Sequence, residues 1–138
     1  MVRLIKAIIG RLPRWLLTIL VLALILWLTL APHPLGKVHV PLFKGADKVA
    51  HLIMFAALSF SFNLDWMRVR HWQRLSLPEI ACVALGVGVF GIFIEFAQRT
   101  MGMGRSFEVL DMVADGAGAM IGAAVWAVLN GLFSDDKS

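Results

Sequence analysis

Four long apolar runs follow one another along this chain, each separated from the next by a short stretch containing charged residues, glycine or proline. A helix needs about 20 mostly apolar residues to cross a bilayer. The runs predict membrane-spanning helices at about 15–31, 47–66, 79–98 and 109–133. The pattern therefore predicts an all-α fold, an integral membrane four-helix bundle that forms a single domain over residues 1–138.

The composition supports a bilayer as the solvent of these helices. Hydrophobic residues make up 59% of the 138 residues and charged residues only 16%, and the mean hydropathy is +0.81. A soluble domain of this size carries about a quarter charged residues. The net charge of +4 does not indicate a nucleic-acid partner, because the basic residues group at the ends of the apolar runs.

Basic residues predict how the helices are oriented. Seven of them lie before the first run or between the second and third runs: Arg3, Lys6, Arg11, Arg14, Arg68, Arg70 and Arg74. Short loops rich in Lys and Arg stay in the cytoplasm. Both termini are therefore predicted to be cytoplasmic, and the loops at 32–46 and 99–108 are predicted to face outward. A signal peptide is the alternative for the first run, but its length and Pro32 favour an uncleaved helix.

Polar side chains interrupt the last three runs at one level. In the predicted topology they lie at the outer ends of their helices: Asp47, Lys48 and His51, then Glu95 and Gln98, then Asp111 and Asp115. We expect antiparallel packing to bring them together in one pocket near the outer surface. Arg105 and Ser106, from the loop at 99–108, would join this pocket. We expect no comparable polar set in the inner half.

Helical spacing places these side chains on packing faces. One stripe contains Ala84, Gly88, Gly91, Glu95 and Gln98, and another contains Asp111, Asp115, Gly118 and Gly122. Residues three or four apart share a helix face, and small residues allow helices to approach closely. Ionisable groups within a membrane usually face the bundle interior or a cavity. A purely structural polar network and a functional site both fit this pattern.

Four segments of the chain carry a family resemblance: DKVAHLIMF at 47–55, IEFAQ at 94–98, GRSFEVLDMVAD at 104–115 and GAMIG at 118–122. Their order and spacing resemble the VanZ-like family of small membrane proteins. The resemblance implies a multi-pass protein of the bacterial inner (cytoplasmic) membrane, acting in the cell envelope. It also implies a link to glycopeptide resistance, because the founding member is associated with low-level teicoplanin resistance. One position departs from the family pattern, which usually has Asn where this chain has Asp115.

The first functional hypothesis is binding of an anionic or lipid-linked head group at the outer leaflet. Lys48 and Arg105 would pair with its phosphate or carboxylate, because charge-assisted hydrogen bonds to such groups are strong. Asp47, Gln98 and Ser106 complete the predicted substrate-binding set. The partners would be membrane lipids, and the Gly-rich helix faces would allow a homo-oligomer.

The second hypothesis is an intramembrane hydrolase, a phosphatase acting on a phospholipid or polyprenyl phosphate. His51 would be the nucleophile or general acid/base, oriented by Asp47 or Asp111. Glu95 or Asp115 would be the second acid/base. A variant of this hypothesis has a divalent cation, Mg²⁺ or Mn²⁺, held by the four predicted catalytic residues, His51, Glu95, Asp111 and Asp115.

A third hypothesis is a small transporter or proton relay built on the acidic residues near His51. Four spans are few for a transporter, and no internal repeat is evident in the sequence. The sequence leaves open whether the protein is an enzyme, and it indicates no cofactor firmly.

Overall fold

The computed structural model describes residues 1–31, 45–101 and 109–135. These ranges form five α-helices and no strand, which confirms the all-α prediction. The helices are α1 (Val2–Gly10), α2 (Leu16–Leu30), α3 (Ala46–Val69), α4 (Leu77–Met101) and α5 (Val109–Phe133).

Three of these helices are long and apolar enough to cross a membrane. They are α3, α4 and α5, with mean hydropathies of 1.3, 2.3 and 1.7 in their most apolar 18-residue windows. The faces of α4 and α5 that point away from the other helices carry exposed large apolar side chains. Leu85 is 70% exposed, Phe93 67% and Val128 79%. Such faces suit lipid, where apolar exposure carries no penalty.

The first predicted span is a shorter helix than expected. Helix α2 has 15 residues. At a rise of about 1.5 Å per residue it is roughly 22 Å long, compared with about 30 Å for the hydrocarbon core. Ala31 follows it in an extended conformation, with φ −69° and ψ 140°. Pro32 explains this ending, because a proline disfavours the helical conformation of the residue before it.

Helix α1 is an element that the sequence pattern did not predict. Its nine residues, VRLIKAIIG, alternate basic and apolar positions with helical periodicity, and none of them is buried. Leu4 and Ile8 lie four apart and are largely exposed. Lys6 holds the helix near the carboxyl end of the chain, because its ammonium pairs with Asp135 and lies 4.7 Å from the centre of the Trp72 ring.

Helix α3 is the central element, because it packs against α2, α4 and α5. Its contact with α5 is close at two glycines: a Cβ added at Gly118 would overlap the carbonyl oxygen of Leu52, and one at Gly122 would overlap that of Ala56. The predicted close-packing stripe is therefore used within the chain. Gly86 and Gly116 have open space at the Cβ position, and the homo-oligomer stays a prediction.

A second buried polar network lies at the opposite end of α3, where none was expected. Asp65 is fully buried, and its Oδ2 accepts hydrogen bonds from Thr18 N at 2.9 Å and Thr18 Oγ1 at 2.8 Å. Its Oδ1 accepts from Arg68 Nη1 at 2.6 Å, and Arg68 Nη2 donates to the carbonyl oxygen of Leu12 at 2.6 Å. The network ties the α1–α2 turn to α3. The expectation that the inner half has no comparable polar set was wrong, because Asp65 and Arg68, at the inner end of the second apolar run and just beyond it, form one.

The segment between α3 and α4 is held by side chains on both sides. Asn130 donates to the carbonyl oxygen of Leu75 at 2.6 Å and accepts from its N–H at 3.0 Å. Ser76 and Glu79 form a capping box at the start of α4: Ser76 N donates to Glu79 Oε2 at 2.8 Å, and Glu79 N donates to Ser76 Oγ at 3.4 Å. These contacts tie the segment between α3 and α4 to the end of α5 and fix where α4 begins.

The glycine contact between α3 and α5 can be tested with a matched pair of variants. Gly118→Ala should lower the free energy of unfolding by about 1–3 kcal/mol, because the new methyl group meets backbone that cannot move aside. Gly116→Ala, on the same helix but with open space, should raise it by up to about 1 kcal/mol through helix propensity. Reversible denaturation of the detergent-solubilised protein measures both. Equal effects of the two substitutions would contradict the contact.

Candidate functional site

The predicted polar residues do converge at one end of the long helices. His51 lies in the second turn of α3, Glu95 and Gln98 lie near the end of α4, and Asp111 and Asp115 lie in the first two turns of α5. All five are buried. They meet because α3 and α5 begin at the end where α4 finishes.

A hydrogen bond between His51 and Asp115 lies at the centre of this cluster. His51 Nδ1 is 2.7 Å from Asp115 Oδ1, with His51 7% exposed and Asp115 0% exposed. An ionised carboxylate can only accept a hydrogen bond, so Nδ1 carries the proton and Nε2 is the ring nitrogen left for chemistry. The sequence suggested Asp47 or Asp111 as the orienting carboxylate. The structure assigns that contact to Asp115.

Gly91 makes room for Asp115. A Cβ added at Gly91 would lie 2.7 Å from Asp115 Cβ and 2.9 Å from Asp115 Oδ2. Gly91 is one turn before Glu95 on the stripe that the sequence identified, and it is itself buried. It positions Asp115, and the sequence pattern did not predict it as a site residue. The sequence signal for it was its place in the stripe of small residues.

Glu95 and Asp111 complete a group of potential metal ligands with His51. One ligand atom from each of these three residues lies within 4.8 Å of those of the other two. Asp115 does not belong to this group, although its Oδ1 lies 2.7 Å from His51 Nδ1. Three of the four predicted catalytic residues, His51, Glu95 and Asp111, could therefore bind the same metal ion. The fourth, Asp115, orients the imidazole of His51.

Lys48 and Asp47 lie at the rim of the cluster. Lys48 Nζ is 3.3 Å from Asp111 Oδ1 and 2.8 Å from Asp47 Oδ2. The side chains of Lys48 and Asp47 are 29% and 57% exposed, whereas that of Asp111 is 11% exposed. Lys48 therefore links a buried carboxylate to the surface, where an approaching anion would meet its ammonium.

Gln98 makes a different contact from the one expected of a binding residue. Its Nε2 donates to the carbonyl oxygen of Thr29 at 2.7 Å, which ties α4 to the last turn of α2. Arg105 and Ser106 lie outside the described residues. Their predicted roles in binding stay predictions.

An apolar groove of about 760 Å³ runs along α4 and α5. On α4 its lining extends from Leu77 to Ile92, and on α5 from Ala127 to Met112. Ile92 is three residues before Glu95, and Met112 directly follows Asp111. Along α4 and α5, one end of the groove is therefore near the level of the polar cluster, and the other lies toward the opposite end of the helices.

Long apolar helices with a buried cluster of ionisable side chains at one end define the class: a helical membrane protein with a polar site. The chain belongs to the VanZ/LLP1 family, whose family model matches residues 22–130. This match confirms the resemblance seen in the four sequence segments. No curated protein matches the chain significantly, and no solved structure does.

The His51–Asp115 contact can be measured with a double-mutant cycle. His51→Ala, Asp115→Ala and the double variant should show a coupling energy of about 1–3 kcal/mol in the free energy of unfolding, because the two groups share a buried hydrogen bond. A control cycle pairs Asp115→Ala with His71→Ala, since His71 is exposed and lies in the segment between α3 and α4. That cycle should be additive within about 0.5 kcal/mol. Additivity in both cycles would refute the contact.

Proposed function

We propose that this protein binds the anionic head group of a lipid or lipid-linked molecule at the outer leaflet of the bacterial inner membrane. The observation that carries the proposal is the buried His51–Asp115 pair, grouped with Glu95 and Asp111 at one end of apolar helices. Ionisable groups at such a position are costly to bury and usually serve a substrate, an ion or a proton. In the proposed topology, a lipid head group would lie at the level of this cluster.

The proposed topology has four crossings, with α2 as the short one, and both termini in the cytoplasm. The contacts support this arrangement by bringing the basic segments together at one end. Arg68 reaches the carbonyl oxygen of Leu12, and Asp135 N donates to the carbonyl oxygen of Trp72 at 2.9 Å. Cytoplasmic segments are enriched in Lys and Arg. The His51 cluster lies at the other end of α3 and would therefore face outward.

Lys48 is the described residue best placed to meet the head group. Its ammonium lies at the rim, partly exposed, between Asp47 and the buried Asp111. A phosphate or carboxylate would form charge-assisted hydrogen bonds with it, and Arg105 and Ser106 are the further predicted contacts. The apolar chain of the same molecule would lie in the groove between α4 and α5, because Met112, the residue after Asp111, lines that groove.

A second candidate function is hydrolysis of the bound head group, and the hydrogen bond from His51 to Asp115 favours it. His51 Nε2 would take a proton from water as the water oxygen attacks phosphorus. The bond from phosphorus to the leaving oxygen would then break, and Glu95 would protonate that oxygen. A link to teicoplanin resistance, implied by the resemblance to the VanZ-like family, would operate through the same head group in either case.

Lipids that co-purify with the protein test the binding proposal. Mass spectrometry of lipid extracted from purified protein should show an anionic species enriched over the bulk membrane. Lys48→Ala should reduce that species by roughly tenfold or more, because a hydrogen bond to a charged group contributes about 1.5–3 kcal/mol. Lys6→Ala is the matched control, since Lys6 forms its ion pair with Asp135 at the opposite end. Equal lipid content in both variants and the wild type would overturn the proposal.

The same preparations decide between binding and hydrolysis. Turnover would release inorganic phosphate from a polyprenyl phosphate or from a phospholipid whose phosphate is a monoester, and His51→Gln should lower that rate by about 100-fold or more. His71→Gln, an exposed histidine in the segment between α3 and α4, should leave it unchanged. Enrichment of lipid without phosphate release would exclude the second candidate and leave the first.

A further inference from the structure

We infer that His51, Glu95 and Asp111 form a binding site for a divalent transition-metal ion of the Mn²⁺ or Zn²⁺ class. The three residues come from α3, α4 and α5, all three are buried, and their ligand atoms lie within 4.8 Å of one another. Ligands of one ion at about 2.0–2.2 Å are roughly 3–4 Å apart. Side-chain adjustments of about 1 Å would therefore close the site around an ion.

Asp115 holds His51 in the manner of a metal ligand. Metal-binding histidines usually donate their second ring nitrogen to a carboxylate or carbonyl, which fixes the ring and raises its basicity. Here Nδ1 donates to Asp115 Oδ1 at 2.7 Å, so Nε2 is the nitrogen available to a metal, and a metal bound there would replace the general-base role that Nε2 has in the second candidate function. Gly91 leaves the space that Asp115 occupies. Asp115 is a positioning residue in this site and not a ligand.

A buried carboxylate oxygen within the ligand group is a separate observation that points to a cation. Asp111 Oδ1 is buried and accepts no hydrogen bond from the part of the chain that the structure describes. Burying such oxygens is costly unless they are hydrogen-bonded or bound to a cation. Lys48 Nζ, 3.3 Å from Asp111 Oδ1, also pairs with Asp47.

The other end of α3 provides an internal comparison. Asp65 is as deeply buried as Asp115, yet both of its oxygens accept hydrogen bonds, from Arg68 and Thr18. This chain therefore satisfies a buried carboxylate fully where its role is structural. Asp111 differs from Asp65 in this respect, because its Oδ1 has an ammonium at 3.3 Å but no hydrogen bond from the described residues, and a bound cation would compensate its charge more closely.

The ligand types select the metal class. One imidazole and two carboxylates suit Mn²⁺ and Zn²⁺, whereas Mg²⁺ prefers oxygen ligands alone. Three protein ligands leave coordination positions open for water or a substrate oxygen. A phosphate oxygen of the head group would take such a position, and this last step rests on the proposed function. Metal binding itself does not.

The test is Mn²⁺ binding to the full-length protein in detergent, after removal of metals with a chelator. Electron paramagnetic resonance of free Mn²⁺ should show about one bound ion per chain, displaced by Zn²⁺ but not by Mg²⁺ at the same concentration. His51→Gln and Asp111→Asn should each weaken binding by at least about tenfold. His71→Gln and Asp135→Asn, a histidine and an aspartate away from the cluster, should bind as the wild type does.

Asp115→Asn tests the positioning role. It should weaken Mn²⁺ binding by about 10–100-fold while the metal-free protein keeps a circular dichroism spectrum like that of the wild type. Should His51→Gln fail to fold, the thermal shift of the wild type replaces it: Mn²⁺ should raise the melting temperature of the wild type and not that of Asp111→Asn. No bound Mn²⁺ or Zn²⁺ in the wild type, or equal loss in the control variants, would overturn the inference.

The lipid and metal experiments can refute the two proposals independently of each other. If lipid enrichment is intact but no metal binds, the metal site alone is overturned. The carboxylates of the cluster would then be compensated by basic side chains of the protein. Metal binding without lipid enrichment would overturn the proposed function alone.

Discussion

Gly118 and Gly122 let α5 lie directly against the backbone of α3, at Leu52 and Ala56. Any larger side chain at these positions would hold the two helices apart. Leu52 directly follows His51, and Gly118 is three residues after Asp115, so the contact also sets the distance across which these two side chains meet. The geometry of the polar site therefore follows from a packing constraint between two backbones, and the rest of the cluster is arranged around that contact.

Buried carboxylates are hydrogen-bonded differently at the two ends of α3. At one end, Asp65 accepts hydrogen bonds on both oxygens and ties α2 to α3, which is what a structural network requires. At the other, Asp115 uses one oxygen to orient His51, and Asp111 is linked to the surface through Lys48. Low-dielectric surroundings strengthen every electrostatic contact and penalise every incomplete one. The metal ion that we infer would compensate the carboxylates at this end, as Arg68 and Thr18 compensate Asp65 at the other.

Much of this organisation could be predicted from the sequence, because hydrophobic periodicity is a local property. The runs at 47–66, 79–98 and 109–133 correspond to α3, α4 and α5, and the convergence of their polar residues followed from antiparallel packing. Helix α1 was missed because its nine residues are too short and too charged to stand out. The pairing of His51 with Asp115 depends on how the helices are rotated about their axes, which spacing along one helix does not determine. The Asp65 network was missed because it also depends on how α2 and α3 are rotated relative to each other.

The central claim is that the His51 cluster exists for a ligand, whereas the Asp65 network exists for stability. Its most direct test compares the free energies of unfolding of Asp111→Asn and Asp65→Asn in the ligand-free protein. Asp65→Asn should destabilise by about 1–3 kcal/mol or more, because it weakens bonds that the fold uses. Asp111→Asn should be neutral within about 0.5 kcal/mol or stabilising, as is common for residues kept for function at the expense of stability. A loss for Asp111→Asn as large as that for Asp65→Asn would contradict the account and make the cluster a structural network.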